Sequence, residues 1–182
     1  MLIYFIIVKM SESINKINII HKNLLESDEP LIVHQTNCIS TNSKGLASEI
    51  FKKYPYADVY SCRRKQNNNN AIPDDWDIPG TISIKKGNGP IIVAMFAQYD
   101  KGNVGHSYLL SLEKDNQELR EKWFKKCLKE IKIYMIANSI KSVGFPYKIG
   151  CGLAGGNWEI YNEMIEEFSK DAPFIVNIYK LE

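Results

Sequence analysis

The chain has 182 residues, 45% of them hydrophobic and 24% charged, which excludes a disordered or fibrous protein and suits one domain with a proper core. Its net charge is only +2, from 23 basic against 21 acidic residues. That excess is too small to make nucleic acid or an anionic membrane the first-choice partner.

The opening run Met1–Val8 is apolar, lacks a basic leader and a small-residue cleavage site, and is too short to span a bilayer. It reads as a buried first strand, and a cytoplasmic location is the expectation. Further strand-like runs cover Ile14–Ile20, Leu31–His34, Thr81–Ile84, Ile91–Ala97, Ser142–Pro146 and Phe174–Tyr179. Most are rich in β-branched residues, and several are apolar throughout, as in strands covered on both faces. Helical patterns lie between them. Leu46–Tyr54 follows Gly45 and stops before Pro55. From Glu113 to Asn138, the residues Leu119, Trp123, Cys127, Leu128, Ile131 and Met135 repeat near the helical period. Trp158, Tyr161, Ile165 and Phe168 do so again, with Asn157 as the N-cap. The alternation implies a single α/β domain over residues 1–182, a three-layer α/β/α sandwich on a mixed, mostly parallel sheet. Residues 1–12 would add an extra N-terminal strand, and the asparagine-rich stretch 66–77 reads as a solvated loop.

Cys38, Cys62, Cys127 and Cys151 stand far apart, and His21, His34 and His106 lack ligand spacing. Free thiols, no metal and no cofactor are expected. The three arginines, Arg63, Arg64 and Arg120, are few for a site built on bidentate phosphate clamps.

The most informative stretch runs from Ser142 to Trp158, where a strand feeds a loop rich in glycine and a helix follows at once. Glycine lets loop amides converge on an anion, and the helix N-terminus adds to the attraction. Gly150, Gly152 and Gly155 have the spacing of a dinucleotide fingerprint, but that loop belongs after a first strand, and here it comes late. A Walker loop needs Lys and Ser/Thr where Gly156 and Asn157 stand. A cysteine-phosphatase loop starting at Cys151 needs an arginine where the chain has Asn157. A tight structural turn remains open as the plain reading. A second strand–loop–helix junction, Leu31–Cys38 followed by Gly45-Leu-Ala47, can face the first across a crevice.

Together these segments resemble the macrodomain family, from about Ile14 to the end of the chain. The matching stretches are Asn23-Leu-Leu-Glu26, His34-Gln-Thr-Asn-Cys38, Gly45-Leu-Ala47, Pro79-Gly-Thr81, Phe96-Ala-Gln98 and the glycine-rich run Phe145–Trp158. The resemblance is strongest to the branch that includes ADP-ribose 1″-phosphate phosphatases. It implies ADP-ribose or ADP-ribose 1″-phosphate as partner, and a monomer that hydrolyses an ADP-ribose derivative. The alternatives are removal of ADP-ribose from a modified macromolecule, or a reader without chemistry. The resemblance puts Asn23 and the Leu24 backbone at the adenine and Asn37 at the distal ribose. Gly45 and Leu46, with Gly150, Cys151, Gly152, Leu153, Ala154 and Gly155, would enclose the diphosphate. His34 aligns with a histidine given a catalytic role. The lysine and aspartate used by members that release ADP-ribose are missing near Gln98 and Ala154. Strict strand alternation would set His34 and Asn37 on different faces unless the chain bends between them.

Overall fold

The computed structural model describes residues 17–66, 69–105 and 114–181, so the expected strand within residues 1–12 lies outside the described residues. Six strands form one sheet: β1 (Ile17–Ile20), β2 (Leu31–Asn37), β3 (Ile82–Lys85), β4 (Ile91–Gln98), β5 (Ser142–Pro146) and β6 (Ile175–Tyr179). Three α-helices accompany them: α1 (Leu46–Lys53), α2 (Gln117–Ala137) and α3 (Trp158–Ser169). The spatial order is β1-β6-β5-β2-β4-β3, and only the β3–β4 pair is antiparallel.

Alternation along the central strands feeds two separate cores. Leu31 and Val33 of β2, with Val93 and Met95 of β4, face α2 and α3 and meet Phe124, Ile131, Tyr161 and Ile165. Ile32 of β2, with Ile92, Ala94 and Phe96 of β4, faces the other way, onto Ile50, Phe51, Tyr54 and Tyr60 around α1. Both layers are thus apolar, which explains why these strands read as continuous hydrophobic runs. Phe124 of α2 stacks on Tyr161 of α3, with centroids 4.3 Å apart, and ties the two helices of one layer together.

Element ends depart from the sequence expectation for local reasons. β2 continues past His34 to Asn37, because the polar Gln35 and Thr36 stay in register with Met95 and Phe96 of β4. α2 starts at Gln117 rather than Glu113, since Asn116 is extended and its side chain accepts the Leu119 amide. The asparagine-rich stretch is not simply solvated. Asn70 and Ala71 are buried, and the Ala71 amide donates to Ile39 while Thr41 donates to the Asn69 carbonyl. Backbone pairing with residues 39–41 pins that segment against the end of β2. Among the described residues, no helix is long and apolar enough to cross a membrane.

Candidate functional site

β2 and β5 lie side by side, but their connections leave on opposite faces of the sheet. After β2 the chain passes to α1 on one face; after β5 it passes to α3 on the other. A crevice opens at such a divergence, outside the carboxyl ends of the strands. Two adjoining cavities occupy it, of about 350 Å³ and 300 Å³. Gln35, Lys44, Ala47, Gln98 and Leu153 line both, so they form one continuous hollow. A larger hollow of about 750 Å³ lies between α2 and α3, but only side chains of those two helices line it.

The first cavity gathers Asn37, Ser40, Asn42, Tyr60, Asn69, Lys101 and Gly102. Asn37 is held firmly. Its carbonyl Oδ1 accepts the amides of Ile39 (3.2 Å) and Ser40 (2.7 Å), and its Nδ2 donates to the Tyr60 hydroxyl (3.0 Å). With both lone pairs of Oδ1 engaged, one Nδ2 proton is left to offer a ligand, so Asn37 acts here as a donor rather than as donor and acceptor together. The Tyr60 oxygen also accepts the Asn37 amide (2.9 Å), and burial pushes its phenol up to about 12, which keeps it protonated. The register of β2 on β4 shifts between Thr36 and Asn37. That irregularity turns Asn37 toward Tyr60, which packs on Phe51, the ring that also meets His34 at 5.5 Å. The bend that strict alternation required is therefore present.

The second cavity is formed by His34, Gly45, Leu46 and the loop from Pro146 to Ala154. That loop is closed by its own hydrogen bonds: Cys151 N to Lys148 O, Gly155 N to Gly152 O, and Gly156 N to Gly150 O. Among the described residues, the amides of Gly152, Leu153 and Ala154 have no backbone acceptor. These three consecutive amides, together with that of Gly150, which has no backbone acceptor either, are free to receive an anion, while those of Cys151 and Gly155 are not. Gly150 sits at φ +72°, where a Cβ would fall 2.3 Å from Gln35 Oε1, so no other residue fits. Nothing lies within 4 Å of where a Gly152 Cβ would be. Leu153 is 66% exposed and reaches across toward Gly45, bridging the two loops.

His34 lies on the floor of this second cavity rather than beside Asn37. It is 1% exposed, and neither ring nitrogen has a partner. Burial pulls its pKa down to about 3, so the imidazole is neutral throughout the ordinary pH range. Cys151 and Gly155 are in the loop but do not line either cavity. Burial raises the Cys151 thiol to about 11, and Sγ donates to the Ile149 carbonyl, so it is no thiolate nucleophile. Asn23 and Leu24 also stand outside both cavities. The Asn23 side chain accepts the Leu25 amide, while Leu24 is buried and its carbonyl accepts from Ser27.

Sequence reasoning missed Gln35, Tyr60 and Asn69, and noted Gln98 only as the place of a missing lysine. Gln35 Nε2 donates to Gln98 Oε1 (2.7 Å), and Gln98 Nε2 donates to the Asp100 carbonyl (2.9 Å). Gln35 Oε1 remains unpartnered beneath Gly150.

Neither a protein-family model nor a curated protein matches the chain. Solved structures do. The DarG macrodomain of Mycobacterium tuberculosis is 17% identical with a TM-score of 0.64, over 91% of this chain and 98% of that one. DarTG of Thermosipho africanus, solved in complex with ADP-ribose, is 17% identical with a TM-score of 0.63, over 90% of this chain and 41% of that one. An alphavirus P23pro-zbd structure is 17% identical with a TM-score of 0.61; the match takes in 92% of this chain and 22% of that one. This chain thus spans well under half the length of the last two. The fold it shares with them is the macrodomain fold.

Two outcomes follow from this geometry. Gly152→Val leaves the fold intact, because its side chain enters open space, and it fills the volume above the three free amides. Gly155→Val strains a residue at φ +70° whose Cβ would meet Asn103 at 2.5 Å, so it lowers the melting temperature as well. Melting curves for the two variants check the contrast; equal losses of stability would contradict it. For His34 the native pKa lies below the unfolded value, so the unfolded chain binds the extra proton. Stability is therefore undiminished above about pH 6.5 and falls as pH drops toward 3, by about 2 kcal/mol at pH 5. Urea unfolding at pH 7 and pH 5 should show that part of the acid loss disappearing in His34→Leu. The same loss in both proteins would show that His34 is not the buried neutral group described.

Proposed function

Taking the macrodomain fold as the premise, we propose that this chain binds ADP-ribose in the crevice between β2 and β5 and releases phosphate from ADP-ribose 1″-phosphate. The observation that carries the binding is the row of three free amides at Gly152, Leu153 and Ala154, facing the α1 N-terminus at Gly45 across a roofed hollow. Oriented amides and a helix N-terminus suit the two charges of a diphosphate. The Asn37 cavity, with its one remaining Nδ2 proton and the Tyr60 hydroxyl, suits the hydroxyl groups of the distal ribose. Asn23 and the Leu24 backbone remain the assignment for the adenine, beyond the cavity that holds the diphosphate. That a structural neighbour holds ADP-ribose supports the same ligand.

For the reaction, the charge of the lining is the guide. Lys44 and Lys101 line the Asn37 cavity, and among the described residues no carboxylate lines either cavity. A distal end with lysines and no acids accommodates a terminal phosphate dianion. Water attacks phosphorus, the bond from phosphorus to the ribose O1″ breaks, and a proton passes to that oxygen. Positioning and electrostatic stabilisation carry most of such a transfer. His34, which aligns with a catalytic histidine, is the proposed source of that proton: the negative charge of a diphosphate above it favours a protonated imidazole and opposes the effect of burial. A reader without chemistry is the second reading. It is favoured by His34, which is unpartnered and lies under the diphosphate rather than beside Asn37. Release of ADP-ribose from a modified macromolecule has less support, with no carboxylate at hand to activate water.

Calorimetry should show ADP-ribose binding far more tightly than AMP, since AMP offers one phosphate to a loop shaped for two. No heat at millimolar ADP-ribose, a limit of about −4 kcal/mol, removes the binding proposal. Phosphate release from ADP-ribose 1″-phosphate should fall by about a hundredfold in His34→Ala with ADP-ribose affinity nearly unchanged. Absence of turnover in the unaltered protein leaves the reader.

A further inference from the structure

We propose that two buried arginines, Arg63 and Arg120, are positioning residues that set the two halves of the crevice by gathering the backbone carbonyls of its loops. The identity of the ligand rests on the ADP-ribose reading; the loop geometry does not.

Arg120, near the start of α2, is 1% exposed, and all five of its N–H donors are engaged. Nε and one Nη2 proton bind Asp115 in a fork, at 2.6 and 2.7 Å. Nη1 donates to the carbonyls of Gly102 (2.8 Å) and Ala154 (2.9 Å), and Nη2 also donates to that of Asp100 (3.4 Å). Asp115 in turn accepts the Asp100 amide at 3.2 Å. One guanidinium thus joins the segment after β4, the start of α2 and the glycine-rich loop. Gly102 and Ala154 line the two cavities, one each, yet Arg120 itself lines neither. A carbonyl drawn inward by a desolvated guanidinium cannot turn its negative end toward a bound phosphate. Charge-assisted bonds in a dry interior are strong enough to hold it there.

Arg63 does the same within the Asn37 half alone. It donates to the carbonyls of Asn37 (3.1 Å) and Ser40, pairs with Asp77, and lies 4.5 Å from the centroid of the Tyr60 ring. The turn it secures is the one whose amides hold the Asn37 side chain. Arg63 also stands outside both cavities. Lysine cannot replace either residue, because a single ammonium lacks the planar fork that reaches several segments at once.

The test compares ADP with ADP-ribose by calorimetry on the unaltered protein, Arg120→Lys and Arg63→Lys, with amide hydrogen exchange on each without ligand. Arg120→Lys should weaken ADP by about tenfold, the loss of roughly one charged hydrogen bond, and ADP-ribose by at least as much, since Gly102 belongs to the ribose half. Arg63→Lys should leave ADP unchanged and lower ADP-ribose affinity by about the same factor, since only the ribose half moves. Exchange should quicken at residues 100–102 and 148–156 in the first variant and at 37–41 in the second, and stay as it was elsewhere. Unchanged affinities with unchanged local exchange overturn the inference, as does a uniform rise in exchange with both ligands weakened equally in both variants. If the unaltered protein binds no ADP-ribose, the ligand reading falls and local exchange alone decides the positioning role. Should Arg120→Lys fail to fold, the pair Arg120→Gln with Asp115→Asn leaves no uncompensated buried charge and carries the same comparison.

Discussion

β2 and β5 share a single register pair, Ile32 with Gly144, before they part toward opposite faces of the sheet. Gly144 has no choice of side chain there: a Cβ would lie 2.7 Å from the Leu24 side chain and 3.0 Å from that of Glu29. The close approach at Gly144 seats Leu24 and Glu29 against β5 at the residue where it pairs with β2, and the loops beyond the two strands line one crevice. α1 is drawn to one side by Ile50 and Phe51, and α3 to the other by Tyr161 and Ile165. The crevice is the gap that remains, and much of one wall is the backbone of the glycine-rich loop.

A binding surface made of backbone has a particular electrostatic problem, since every amide brings a carbonyl of opposite sign. The protein separates them. The carbonyls of Lys148, Gly150 and Gly152 are taken up by loop amides and that of Ala154 by the Arg120 guanidinium, while the amides of Gly150, Gly152, Leu153 and Ala154 are left without a backbone acceptor. Each arginine has its own aspartate, so neither adds unpaired charge to the interior. In the unliganded chain the crevice is lined by neutral donors, the free amides, Asn37 Nδ2 and the Tyr60 phenol, with a neutral His34 on its floor. Among the described residues, positive charge at the lining comes from Lys44, Lys101 and Lys148.

Much of this was legible in the sequence. Strands such as Ile91–Gln98 announce themselves because both faces are buried, and the glycine-rich turn and Asn37 stand out as motifs. Other features depend on contacts between remote residues, which no local pattern encodes. Tyr60 reaches Asn37 across 23 positions, and Gln35 meets Gln98 across 63. Arg120 touches Ala154 from 34 positions away, and a count of arginines cannot distinguish a phosphate clamp from a strut behind the loop. The sequence could place His34 on a strand next to the crevice. It could not say that Phe51 and the layer around α1 would close over it and hold it neutral. Asn69 and Asn70 were hidden for a different reason: a run of asparagines has the composition of a solvated loop, and only the pairing with residues 39–41 makes it part of the site.

A crystal structure of the chain with ADP-ribose tests the proposed place of the diphosphate most directly. It should show diphosphate oxygens within hydrogen-bond distance of the amides of Gly152, Leu153 and Ala154, with the distal ribose beside Asn37 and Tyr60. A nucleotide bound instead in the lysine-lined hollow between α2 and α3, with those three amides facing water, would contradict it.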